Sequence, residues 1–139
     1  MKNKGPDRLY VHSRLEQEFQ RLIKQADSPL KDKPKRKIFL LAMAIGFKND
    51  MKISLDTRKE FDRIEYLSDE EKALINSLAI HEDGLEVLLD KNRTYKIAEE
   101  YASGGIKKLS EIVFSKKGGS FIKKLESDLL EEFSRLVKK

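Results

Sequence analysis

Apolar residues recur at helical spacing through most of this chain, and the runs are separated at Pro, Gly and Asp. Leu15, Phe19, Leu22, Ile23 and Ala26 fall on one helical face, and Ser13-Arg-Leu-Glu16 at its start has the spacing of a capping box. Pro29 cannot continue that helix, so the segment 30–37 (LKDKPKRK) reads as a basic connector. Residues 35–47 then predict a second helix. Its stretch 38–47 is apolar on every side, which marks a central helix covered all round. A run this short also suits a buried strand, but its Ala and Met favour the helix, and Gly46 suits a C-terminal cap.

Helical period is lost over 48–67. Ile53 and Leu55 alternate with polar neighbours, as do Ile64 and Tyr66, and this predicts a short β-hairpin within 51–67 lying against the helices. Ser68-Asp-Glu-Glu71 is a second capping box, opening a third helix with Leu74, Ile75, Leu78 and Ala79 on its apolar stripe and Asp83-Gly84 at its end. A short apolar turn over 85–89 leads to Asp90, the expected cap of a fourth helix with Tyr95, Ala98, Tyr101 and Ala102. Gly104-Gly105 is expected to break or bend it, and also permits close approach of another backbone. Ile106, Leu109, Ile112 and Val113 make a fifth. Residues 115–120 read as a loop, and Phe121, Ile122, Leu125, Leu129, Leu130, Phe133, Leu136 and Val137 as one broad face of a last helix. The expected fold is mostly α. It is a single domain over 1–139, an orthogonal bundle of about five or six helices with one short β-hairpin, with ends 1–8 and 138–139 frayed.

Composition narrows the chemistry. With 0 Cys among 139 residues there is no disulfide, no thiolate nucleophile and no Cys-based zinc site. No stretch approaches the ~20 apolar residues that span a bilayer, and the basic N-terminus has no apolar core after it, so no membrane association and a cytoplasmic location are expected. The net charge of +5 is uneven: 1–59 is basic, 60–100 acidic and 101–139 basic. That distribution suits an anionic partner or charge-complementary self-association, although solvated helix faces explain it as well.

Motifs for catalysis are missing. His81-Glu82-Asp83 resembles a metal cluster on paper, but neighbours on a helix point apart, and ligands sharing a face are three or four residues apart. A helix-end His beside acidic caps is the plainer reading. His12, without an obvious partner, reads as a surface residue. No G-x-S-x-G occurs. The acidic pairs Glu70/Glu71, Glu99/Glu100 and Glu131/Glu132 read as solvated faces. No catalytic residue, metal or cofactor is therefore expected. Lys116-Lys117-Gly118-Gly119-Ser120 is the best anion candidate, since glycines let backbone N–H groups turn to a phosphate ahead of a helix. It is not a Walker loop, and a plain helix connector explains it too. Lys33, Lys35, Arg36 and Lys37, with Lys31, form one further basic cluster and Lys107 with Lys108 another. Brought onto one face they would bind phosphates irrespective of sequence; no aromatics interleave to stack bases.

Two segments taken together carry a resemblance. Residues 38–49 (IFLLAMAIGFKN) and 99–109 (EEYASGGIKKL) are similar to the signature segments of a small family of accessory proteins encoded beside the DNA phosphorothioation (Dnd) genes of prokaryotes. In that family an apolar helix ending A-x-G-F-K precedes a polar hairpin, and E-x-Y-A-x-G-G-[IL] follows an acidic helix; here the resemblance covers about 35–114. It implies a setting, an accessory to sulfur-based DNA modification and linked restriction, and no catalytic residue. A chain without Cys also lacks the thiolate that sulfur transfer needs. The expected function is a non-enzymatic interaction protein with a protein partner or a second copy of itself. The alternative is a nucleic-acid-binding module using basic residues of 31–37 and 107–124.

Overall fold

The computed structural model describes residues 5–25, 28, 30–115 and the positions 123, 124, 127 and 131. In chain order these form β1 (Arg8–His12), a 3₁₀ turn (Ser13–Leu15), α1 (Glu16–Lys24), α2 (Lys35–Lys48), β2 (Arg58–Arg63), a second 3₁₀ turn (Ile64–Tyr66), α3 (Asp69–Asp83), a third 3₁₀ turn (Leu85–Leu89) and α4 (Lys91–Val113). The protein is mostly helical with one small two-stranded antiparallel sheet. Helix α2 is central as expected, burying Ile38, Phe39, Leu40, Leu41, Ala42, Met43 and Ile45. Phe39 and Phe19 of α1 meet Phe61 of β2, with ring centroids 6.4 and 4.9 Å from it, within the range of favourable aromatic pairs.

Several expectations need correction. Gly104-Gly105 does not break a helix: α4 runs 23 residues straight through it, so the expected fourth and fifth helices are one. The glycines are there because another backbone lies on them. A Cβ on Gly105 would overlap the Ala42 carbonyl oxygen and stand 2.6 Å from the Gly46 nitrogen, and one on Gly104 would stand 2.6 Å from the Met51 carbonyl carbon. Gly46 is likewise no cap. It lies inside α2 against the Tyr101 backbone, and the helix ends two residues later at Lys48. There Asp50 adopts a left-handed φ of 56°, its N–H bonds the Phe47 carbonyl at 3.2 Å, and the Met51 N–H bonds that of Gly46 at 2.7 Å. This is the Schellman ending, with Asp50 where Gly is usual.

Another correction concerns the hairpin. Two strands do pair, but β2 takes β1 as its partner rather than 51–56. Arg8 lies opposite Arg63 and His12 opposite Arg58, with a bulge between Leu9 and Tyr10. Alternation decides it: Leu9 and Val11 are wholly buried while Arg8, Tyr10 and His12 are half-buried, so β1 has a core face that Ile53 and Leu55 do not match. Arg8 is thus an ordered strand residue. Nor does Ser13 cap α1; the His12 ring accepts the Arg14 N–H at 3.1 Å through Nδ1 and meets Asp56 at 3.1 Å through Nε2.

The free edge of β1 faces α4, which covers it with side chains. The Glu99 carboxyl accepts the Tyr10 N–H at 3.1 Å and the Ser103 hydroxyl accepts the His12 N–H at 3.0 Å. Two donors that a third strand would otherwise satisfy are thereby satisfied by a helix, and the edge is closed to further pairing. Glu99, read from sequence as solvated, is only 4% exposed.

Helix α3 keeps both of its expected ends. The Ser68 hydroxyl accepts the Glu71 N–H at 3.1 Å, and the Glu71 carboxylate accepts the Ser68 N–H at 2.8 Å. Ser68→Ala removes half of this box and is expected to lower stability by about 1 kcal/mol. Urea unfolding of the two proteins checks it, and an unchanged midpoint would refute it.

Candidate interaction surface

The joint between α3 and α4 is built by local backbone chemistry. Gly84 stops α3 with φ at 89°, a conformation side chains resist, and its N–H still reaches the Ile80 carbonyl at 2.7 Å. The Val87 N–H bonds the Gly84 carbonyl at 3.1 Å, and the Asp90 N–H bonds that of Val87 at 2.9 Å. Asp90 then caps α4 by accepting the Arg93 N–H at 3.1 Å, while the Thr94 hydroxyl donates back to the Val87 carbonyl at 3.0 Å. These bonds join groups three to seven residues apart, so the turn is held by its own backbone and by the cap of α4.

Within this frame only Val87 is buried and Leu88 half-buried; Leu85 is 70% exposed and Leu89 85% exposed. Two leucines left in water on a fixed five-residue turn are unusual, because burying each is worth roughly 1.5–3 kcal/mol. Three further large apolar side chains are exposed among the described residues: Met51, Ile53 and Tyr66.

Ion pairs brace the end of α3 beside the turn. Lys52 donates to Glu82 at 2.7 Å, and the buried Tyr101 hydroxyl donates to the other oxygen of that carboxylate at 2.8 Å. These two hydrogen bonds, the lysine's foremost, hold the Glu82 carboxyl below the usual range. Burial and then Glu82 push the Tyr101 phenol up. The Arg93 guanidinium meets Asp83 at 2.8 Å and holds that carboxyl down. The Phe47 ring stands edge-on to both His81 and Tyr101. His81, Glu82 and Asp83 therefore face different partners, and no cluster suited to a metal ion occurs among the described residues.

The described basic residues singled out in the sequence lie in two places, Lys33, Lys35, Arg36 and Lys37 around the start of α2 and Lys107 with Lys108 on α4. Lys33 is exposed before α2, and Lys37 is half-buried in its first turn. The Lys35 ammonium lies 5.8 Å over the Phe61 ring, and Arg36 pairs with Glu71 of α3 at 3.3 Å. Lys107 and Lys108 are exposed on α4. Lys116, Lys117, Gly118 and Gly119 lie outside the described residues, as do most positions of the expected last helix. Sequence reasoning passed over Leu85 and Leu89, whose only signal was their place between Gly84 and Asp90, two chain-stopping residues that leave too little room to bury both.

The two segments that carried the family resemblance prove to be the places where the fold is locked. Of residues 99–109, Glu99 and Ser103 close the sheet edge, Tyr101 holds Glu82, the Glu100 carbonyl accepts the Ile53 N–H at 3.1 Å, and Gly104 and Gly105 take the crossing backbones. No helix of the described residues is long and apolar enough to cross a membrane. Comparison with curated proteins and with solved structures gave no match. The family model for DNA sulphur modification system-associated protein 4 matches residues 14–134, extending past the 35–114 of the resemblance on both sides. The chain belongs to that family, the DNA sulphur modification system-associated proteins 4.

Proposed function

We propose that this chain is a non-enzymatic accessory protein of DNA sulphur modification systems, acting in the cytoplasm by docking onto a protein partner of the system. The observation that carries this reading is the solvent-exposed pair Leu85 and Leu89 on a backbone-locked turn. A rigid apolar protrusion loses little conformational entropy on binding, which is how a small patch becomes a hot spot. Family membership supplies the setting from which the partner comes. The nucleic-acid reading has less behind it. Arg36 is engaged with Glu71 and Lys35 with Phe61, so cations of the 31–37 cluster already hold partners within the fold.

The test is co-purification of the tagged full chain with the modification enzymes of the same system, expressed together. Capture is expected, and Leu85→Ser with Leu89→Ser is expected to weaken it on the order of a hundredfold, as the loss of two buried leucines implies. Capture untouched by the double change would refute docking through this turn. Binding of duplex DNA that weakens steeply with salt would instead favour the nucleic-acid reading.

A further inference from the structure

The charges around Leu85 and Leu89 specify what fits on them. Asp83, Glu86 and Asp90 bracket the two leucines along the chain, and all three are exposed. Of the cations in this stretch, Arg93 is engaged with Asp83 at 2.8 Å, and the Lys91 side-chain stem lies against Gly5. Glu86 is left as the outward carboxylate of the turn, and Asp90, one of whose oxygens caps α4 at the Arg93 N–H, adds its charge beside the exposed Lys91. The surface is thus apolar at two points with an acidic margin, on a chain whose net charge is +5.

We infer that this turn receives a cationic amphipathic segment of the protein partner, its apolar side chains on Leu85 and Leu89 and its Lys or Arg side chains on Glu86 and Asp90. The inference rests on the docking reading above and adds the chemistry of the partner. Sign disfavours three other occupants. Two copies meeting about a twofold axis at this turn would set each acidic margin against its own image. The phosphates of nucleic acid and the headgroups of an anionic membrane would be repelled likewise. A short helix with apolar anchors at i and i+4 matches a protrusion of this size, and flanking cations would fix its direction.

The test uses the full chain and two short synthetic amphipathic helices with leucines at the same positions, one with lysine and the other with glutamate on the polar face. The lysine peptide is expected to bind and to shift the amide resonances of residues 83–93. Its affinity is expected to fall roughly tenfold or more with Leu85→Ser and Leu89→Ser, and by a smaller, salt-dependent factor with Glu86→Lys. All three positions are exposed, so these variants keep the fold. Equal binding of the glutamate peptide, or resonance shifts confined to other residues, would overturn the inference. So would a dimer of the chain that the leucine changes dissolve. Co-purification of the native partner separates the two readings. If Glu86→Lys leaves capture intact while the leucine changes abolish it, docking stands and the cationic partner falls. If neither change affects capture, docking through this turn falls as well.

Discussion

Gly105→Ala is expected to cost about 3 kcal/mol, a fall of roughly 10 °C in melting temperature for a domain of this size. The direction runs against intrinsic preference, since alanine in a helix interior is favoured over glycine by ~1 kcal/mol. Packing reverses the sign because the added methyl would meet the backbone of α2, at the Ala42 carbonyl oxygen and the Gly46 nitrogen, and not a side chain that could swing aside. Relief requires the axes of α2 and α4 to move apart, and that loosens the packing of the buried α2 residues between Ile38 and Ile45. Gly46→Ala is expected to cost a similar amount, its methyl meeting the Tyr101 carbonyl from the other side of the same crossing. The two costs should not add, because helices already separated for one methyl resist the second less. Circular-dichroism melts of the two single variants and the double variant check this. A Gly105→Ala protein that melts at or above the parent temperature would show that the crossing is looser than these contacts require.

That crossing also shows what a sequence of this kind discloses and what it withholds. The limits of α3 were legible at Ser68 and Gly84, and the start of α4 at Asp90, because a cap and a left-handed stop act within one turn of chain. The central place of α2 was legible from its all-round apolar character. Gly104-Gly105 misled because the local cost of glycine predicts a break, whereas the gain that overrides it lies in another helix some sixty residues away. The strand pairing misled for the same reason. The alternation of Leu9 and Val11 was present, but its partner lies about fifty residues along, and the nearer alternation at Ile53 and Leu55 offered a cheaper loop. For the candidate surface, the leucines of the 85–89 turn were visible as apolar residues, but hydrophobicity by itself predicts burial. Their exposure follows from Gly84 and Thr94 fixing the turn with Val87 inward. Glu99 was the least legible residue of all. Its neighbour Glu100 is half-exposed on the same helix, and only the arrival of β1 makes one of the pair a buried acceptor.

Glu99 should give the protein a stability profile in which the fold weakens as pH rises across neutrality. Burial is the main cause, raising its pKa to about 8 against the 4.5 of an unperturbed glutamate. The Tyr10 N–H, Arg58 and Lys96 favour the anion and Glu100 opposes it, but desolvation outweighs them. The sign follows from linkage. In the fold the carboxyl keeps its proton up to about 8, while in the unfolded chain it loses it near 4.5, so its contribution is fully present below 4.5 and is lost as pH rises through 8. Between those limits the loss runs at about 1.4 kcal/mol per pH unit, several kcal/mol in total. Glu82 and Asp83, whose carboxyls are held down by Lys52 and Arg93, act in the opposite sense and only at acid pH, below the usual carboxylate range. Greatest stability is therefore expected near pH 5. Glu99→Gln retains an oxygen for the Tyr10 N–H and has no proton to lose. It is expected to match the parent near pH 5 and to exceed it by on the order of 3 kcal/mol at pH 8. Glu99→Ala leaves the Tyr10 donor without an acceptor and is expected to be the less stable of the two variants at every pH. Urea unfolding of the three proteins from pH 5 to pH 9 decides it. Parallel profiles for the parent and Glu99→Gln would mean that Glu99 is ionised within the fold. The sheet edge would then be held by a carboxylate in place of a neutral acid.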